Sequence, residues 1–91
     1  MPITIQIPSM LRSECQGASQ VQVEAATVQQ ALDQLQQERP NLFRSVCDET
    51  GAVRKHIHLF VNDDLLHRTE GLATPLTPDD VLFIMTAVSG G

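Results

Sequence analysis

Val81-Leu82-Phe83-Ile84-Met85 places five apolar residues in a row near one end of the chain, and few structures can accommodate them. The run falls far short of the ~18 apolar residues of a membrane span. It reads as a strand covered on both faces, which puts it inside a sheet rather than at its edge. A sheet around it must come from the rest of a 91-residue chain, a length that fits one domain with one modest core.

The other strands announce themselves by alternation. Ile3, Ile5 and Ile7 alternate with Thr4 and Gln6, giving a β-branched strand with one buried face; Pro8 ends it. Ser9 to Gln20 is polar and reads as a connection. Val21-Gln22-Val23-Glu24 alternates again, as the hairpin partner of the first strand. His56 to Val61 reads as a strand, Asn62-Asp63-Asp64 as a turn and Leu65-Leu66 as a short return strand. Cys47 to Lys55 and Gly71 to Pro78 read as loops rich in turn formers.

One helix separates the strand pairs. Thr27 and Gln30 have capping-box spacing, in which each side chain satisfies a free backbone N–H of the first turn. Val28, Ala31, Leu32 and Leu35 then form one apolar stripe. Pro40 marks the stop, because the residue before a proline avoids helical geometry. Leu42, Phe43 and Val46 are expected in the core at the end of this segment. The order β-β-α-β-β-β predicts an α+β fold, a mixed sheet of four to five strands with one main helix packed on one face. The first and last long strands would lie side by side in the middle. That arrangement is the β-grasp, or ubiquitin-like, fold. It would occupy residues 1–85, leaving residues 86–91 as a flexible tail ending in Gly90-Gly91.

Strand parity also predicts a surface. If Ile57, Leu59, Val61, Leu82 and Ile84 face the helix, then His56, His58, Phe60, Phe83 and Met85 face away. Phe60, Phe83 and Met85 would form an apolar patch on the open sheet face, beside the start of the tail. Such patches mark protein contacts.

Several functions are excluded. The few basic residues form no stripe, so no nucleic-acid footprint is present, and at a net charge of −5 attraction to an anionic membrane is not expected. That acidity suits docking onto a basic patch as well as it suits solubility. Cys15 and Cys47 lack CxxC spacing, which removes zinc and thioredoxin-like readings. The N-terminus lacks the layout of a signal peptide, so a cytoplasmic protein with free thiols is expected. His56 and His58, even with His67, lack a matching carboxylate or thiol for a metal. The pairs Asp48-Glu49, Asp63-Asp64 and Asp79-Asp80 fall in turns and match no calcium loop. Cys47, near Phe43 and Val46, is expected to be buried, and Cys15 exposed. No nucleophile–base constellation appears, so catalysis by this chain alone is not expected.

Leu11-Arg12, Phe60-Val61-Asn62-Asp63-Asp64, and Asp79-Asp80-Val81-Leu82-Phe83-Ile84 running into Ala87-Val88-Ser89-Gly90-Gly91 together resemble the ubiquitin-like sulfur carriers. That family includes the molybdopterin synthase small subunit, the thiamine sulfur carrier and the cysteine-biosynthesis sulfur carrier. Two positions depart from its pattern: no glycine stands in Pro78-Asp79-Asp80, and Thr86 opens the tail where a proline is common. The resemblance implies that an E1-like enzyme, using ATP, adenylates the Gly91 carboxyl. A sulfur nucleophile then displaces AMP and leaves a thiocarboxylate. The acceptor would be a cysteine-synthase-like enzyme or a molybdopterin synthase large subunit. The carrier itself would hold no permanent cofactor. An alternative is a protein modifier that forms isopeptide bonds through Gly91.

The tail suits either role. Residues 86–91 reach at most ~20 Å when extended, and two terminal glycines remove side chains that would block a narrow channel.

Overall fold

The computed structural model describes residues 2–66 and 70–86 and, for Cys15 and Glu70, the backbone alone. The strands are β1 (Pro2–Gln6), β2 (Gln20–Glu24), β3 (Ile57–Val61), β4 (Asp64–Leu65) and β5 (Val81–Thr86). They form one five-stranded mixed sheet in the order β2-β1-β5-β3-β4. The apolar run of β5 is therefore central, as its composition demanded. It lies parallel to β1, with Ile5 beside Leu82, and antiparallel to β3, with Leu59 beside Ile84.

Helix α1 (Val28–Glu38) opens on the expected cap. The Gln30 backbone N–H donates to the Thr27 hydroxyl at 3.2 Å. The reciprocal bond lands one residue upstream of the usual position, since the Gln30 side-chain oxygen accepts from the N–H of Ala26 at 2.8 Å. Val28, Ala31, Leu32 and Leu35 are buried against Ile3, Ile5, Ile57, Leu82 and Ile84 in one core. All the apolar side chains of that face are withdrawn from water, each worth about 1.5–3 kcal/mol.

Pro40 does not end the helical region. Arg39 takes φ −140° and ψ 68°, a non-helical geometry, in keeping with the avoidance of helix by the residue before a proline. The chain then restarts with proline at the first turn of α2 (Pro40–Val46), where a missing N–H costs nothing. One expected helix is thus two. Leu42 and Val46 are fully buried, and Phe43 is half-buried against the same core.

Short 3-10 segments at Ser9–Cys15 and Glu70–Ala73 replace expected irregular connections. Gly71 in the second one is required by close approach: a Cβ there would sit 2.7 Å from Leu66 Cβ. The Cys47–Lys55 loop folds back through a bridge between Cys47 and Val53, both buried. Among the described residues, no helix is long and apolar enough to cross a membrane.

Candidate docking face and tail root

The two faces of the sheet differ because the strand period is two. Along β3 the burial alternates, with Ile57, Leu59 and Val61 buried, His58 exposed and Phe60 half-buried. Along β5, Leu82 and Ile84 are buried, whereas Phe83 is half-buried and Met85 is 46% exposed. The parity expected for Phe60, Phe83 and Met85 holds. His56 lies in the turn before β3 rather than on the strand.

Register brings these side chains into a row. Phe83 is the direct partner of Phe60 across β5–β3 and of Gln6 across β5–β1. Phe60 in turn pairs with Leu65 on β4, and Gln6 with Gln20 on β2. Paired residues share a face, so Gln20, Gln6, Phe83, Phe60 and Leu65 cross the open face in one line. The polar half is tied by the Gln6 side-chain amide donating to Gln20 at 3.0 Å. The apolar half is continued by Met85, the partner of His58. Phe60, Asn62, Asp63, Phe83 and Met85 line a shallow concavity of about 270 Å³.

Leu65 was missed as a member of this surface. It is 59% exposed, and the two-residue Asn62-Asp63 loop places it opposite Phe60. Counting outward from that loop would have found it. Asn62 accommodates the turn with φ 56°, a left-handed conformation that asparagine tolerates.

The far end of the patch is locked. The Asn62 amide donates to Asp80 Oδ1 at 2.9 Å, and Asn62 Oδ1 accepts from the Val81 N–H at 3.1 Å. Asp80 Oδ2 also accepts the Thr77 N–H at 2.9 Å. These bonds, first that from Thr77 and then that from Asn62, hold the Asp80 carboxyl below the usual aspartate range.

The near end is the tail root. Thr86, the last residue of β5, pairs with Ile57, so the strand extends one residue into the stretch read as tail. Its hydroxyl meets Met10 Sδ at 3.6 Å, and Met10 is 70% exposed. Ala87, Val88, Ser89, Gly90 and Gly91 lie outside the described residues, as does His67.

A second concavity, of about 470 Å³, lies on the helical side between Gln29, Asp33, Arg44, Asp48, Thr50 and Arg54. Cys47 borders it, but its thiol is pushed up to about 11, by burial first and by Asp48 second, against the opposing pull of Arg54. At neutral pH it is a buried apolar group, not a nucleophile. Among the described residues no three His, Cys, Asp or Glu side chains gather as metal ligands.

The profile of the ThiS family matches residues 11–91. The chain belongs to the ThiS family. The match spans β2 to β5 and the terminal Gly90-Gly91 alike. Among curated relatives, sulfur carrier protein CysO of Mycobacterium tuberculosis is 27% identical over 93 residues, covering 100% of both chains. Among solved structures, a chain of the Amycolatopsis orientalis BexX/CysO complex superposes with a TM-score of 0.85 at 28% identity, covering 98% of this chain and 99% of that one. SAMP1 from Haloferax volcanii superposes with a TM-score of 0.82 at 26% identity, covering 100% of both. The described residues thus form the β-grasp, with the helix pair on one sheet face and the apolar row on the other.

Proposed function

We infer that this chain is a sulfur carrier whose reacting group is the C-terminal carboxyl of Gly91. The observation that carries the reading is the ThiS-family match, which runs unbroken from residue 11 to residue 91. The full-length likeness to sulfur carrier protein CysO supports it.

A carboxylate is a poor electrophile. In this reading an E1-like enzyme lets the Gly91 carboxylate displace pyrophosphate from ATP, forming an acyl adenylate. A sulfide then displaces AMP, leaving a thiocarboxylate that is passed to an acceptor. The carrier contributes no acid, base, metal or resident cofactor; ATP belongs to the activating enzyme. Its part is to present the carboxyl on a slender arm and to dock its body outside the partner's active site. Phe60, Phe83 and Met85, joined by Leu65, are the docking row. The likeness to a chain of a BexX/CysO complex supports a carrier that works by docking onto partner enzymes. The acceptor is a cysteine-synthase-like enzyme or a molybdopterin synthase large subunit.

Incubation with ATP, sulfide and the activating enzyme, followed by intact mass spectrometry, tests this reading. Replacement of one oxygen by sulfur at Gly91 supports it. An unchanged mass overturns it. The likeness to SAMP1 favours a second reading, a protein modifier linked through Gly91. Covalent adducts with other proteins in the same experiment support that one.

A further inference from the structure

The sheet has two outer strands, β2 and β4, and they are guarded differently. β4 is two residues long and begins with Asp64, too short and too charged to recruit a neighbour. β2 is five residues long and pairs with β1 without a bulge. It holds no lysine and no proline, and its one charge, Glu24, stands at its end. Among the described residues no strand lies along its outer side.

The β1–β2 ladder fixes which backbone groups look outward. The Ile7 N–H donates to the Ser19 carbonyl at 2.9 Å, so Ile7 and Ser19 are a hydrogen-bonded pair of the register that sets Ile5 beside Val21 and Ile3 beside Val23. Bonded and non-bonded pairs alternate in an antiparallel ladder. Val21 and Val23 therefore bond to β1, and the backbone N–H and C=O groups of Gln20, Gln22 and Glu24 point away from it. The side chains of these outward residues are exposed, whereas Val21 and Val23 are buried.

We propose that the outer edge of β2 pairs antiparallel with β2 of a second copy of this chain, about a two-fold axis at Gln22. In that register the whole strand overlaps its mate, and each opposed outward pair exchanges both backbone bonds. Gln22 faces Gln22, and each Glu24 carboxylate faces a Gln20 amide, which can donate to it. Other registers fit worse. An axis at Glu24 opposes two carboxylates. An axis at Gln20 runs the strand against the Gln16-Gly17 turn, where both residues have positive φ. An axis at Val21 or Val23 leaves one outward residue without a partner in the strand. The net charge of −5 opposes association from a distance, and salt screens it. The axis stands perpendicular to the sheet, so both copies keep Phe60, Phe83 and Met85 uncovered on the same side. The pairing therefore does not depend on the carrier reading and does not compete with it.

One strand edge is a small contact, and the association is weak and concentration-dependent. Sedimentation equilibrium of the full chain between about 10 μM and about 1 mM, the range in which a weak pairing becomes populated, shows mass rising toward twice that of one chain, more at high salt than at low. Gln22→Lys sets two ammonium groups against each other on the axis and weakens association roughly tenfold or more. In a Cys15→Ser background, with Cys47 buried, Gln22→Cys crosslinks to its mate under mild oxidation, because opposed Cα atoms of a bonded pair stand about 5.5 Å apart. Gln20→Cys does not, because its mate is displaced by about 13 Å along the strand. All variants retain the wild-type far-ultraviolet circular dichroism. A single-chain mass at every concentration overturns the proposal, as does association that Gln22→Lys leaves unaltered. Crosslinking of Gln20→Cys as fast as that of Gln22→Cys overturns the two-fold at Gln22.

Discussion

Asn62 and Asp80 clasp each other across the end of the sheet, through a 2.9 Å bond from the asparagine amide to the aspartate carboxylate. The same asparagine accepts the first N–H of β5 at 3.1 Å. One side chain thus ties the β3–β4 turn to the entry of the central strand. Asp80 also caps the preceding turn by accepting the Thr77 N–H.

This clasp makes stability sensitive to acid. The folded Asp80 carboxyl titrates below its ordinary value, and Asp48 does so too, chiefly through the Thr50 hydroxyl. A depressed folded pKa stabilises the protein fully above the unfolded value of about 4, and the stabilisation is lost as pH falls through the folded value. Thermal melts between pH 7 and pH 2 are expected to show Tm falling below about pH 4. Asp80→Ala should lower Tm at pH 7 and flatten that acid limb.

Phe83 tests the docking row. It lies between Phe60 and Gln6 in register, with its backbone in the ladder and its side chain only partly buried. Phe83→Asp should leave the fold intact and lower kcat/KM for adenylation by about 100-fold, the loss of an aromatic anchor worth about 2–3 kcal/mol. Leu65→Asp, at the rim of the row, should cost less than tenfold. Normal turnover of Phe83→Asp would remove the row from the binding surface.

Gly71 is fixed by packing. A methyl group there would meet Leu66 Cβ at 2.7 Å, and relief requires the backbone to move. Gly71→Ala is expected to destabilise by about 1–3 kcal/mol in urea titration, with no loss of adenylation at a temperature where it is folded.

Cys47 should be chemically quiet. With its thiol pushed up to about 11 and 1% of its surface exposed, it is expected to resist iodoacetamide at pH 8 in the native state and to react in urea. Cys15→Ser removes the second thiol so that the rate is assigned. Fast native alkylation would contradict the burial.

Gly91 carries the chemistry in the carrier reading. Deleting it should abolish adenylation while Tm stays within a degree or so of wild type, since surface changes shift stability by only about 0.5 kcal/mol. Persistent sulfur loading of the shortened chain, read by intact mass, would refute the assignment.

Most of the frame was legible because period-two alternation and a capping box are local signals. Ile3, Ile5, Ile7, Thr27, Gln30 and the Val81–Met85 run each state their own geometry. Non-local features were not legible. Nothing near Pro40 in sequence distinguishes a helix stop from a helix restart; Arg39 leaves the helical region for a single residue and Pro40 re-enters it. Val53 is one apolar residue in a polar loop and has no period, yet it is buried beside Cys47. Phe60, Phe83 and Met85 were found by parity, whereas Leu65 needed the loop length.

The strand at the centre of the sheet is the last one along the chain, and its parallel neighbour is the first. Contacts separated by most of the sequence are slow to form, and until β5 inserts, Phe83 has no Phe60 beside it. If the row docks the activating enzyme, as proposed, an incomplete chain offers it no surface. Assembly and eligibility for activation then become a single event, and a partner that grips this row inspects the fold before it ever handles the terminus.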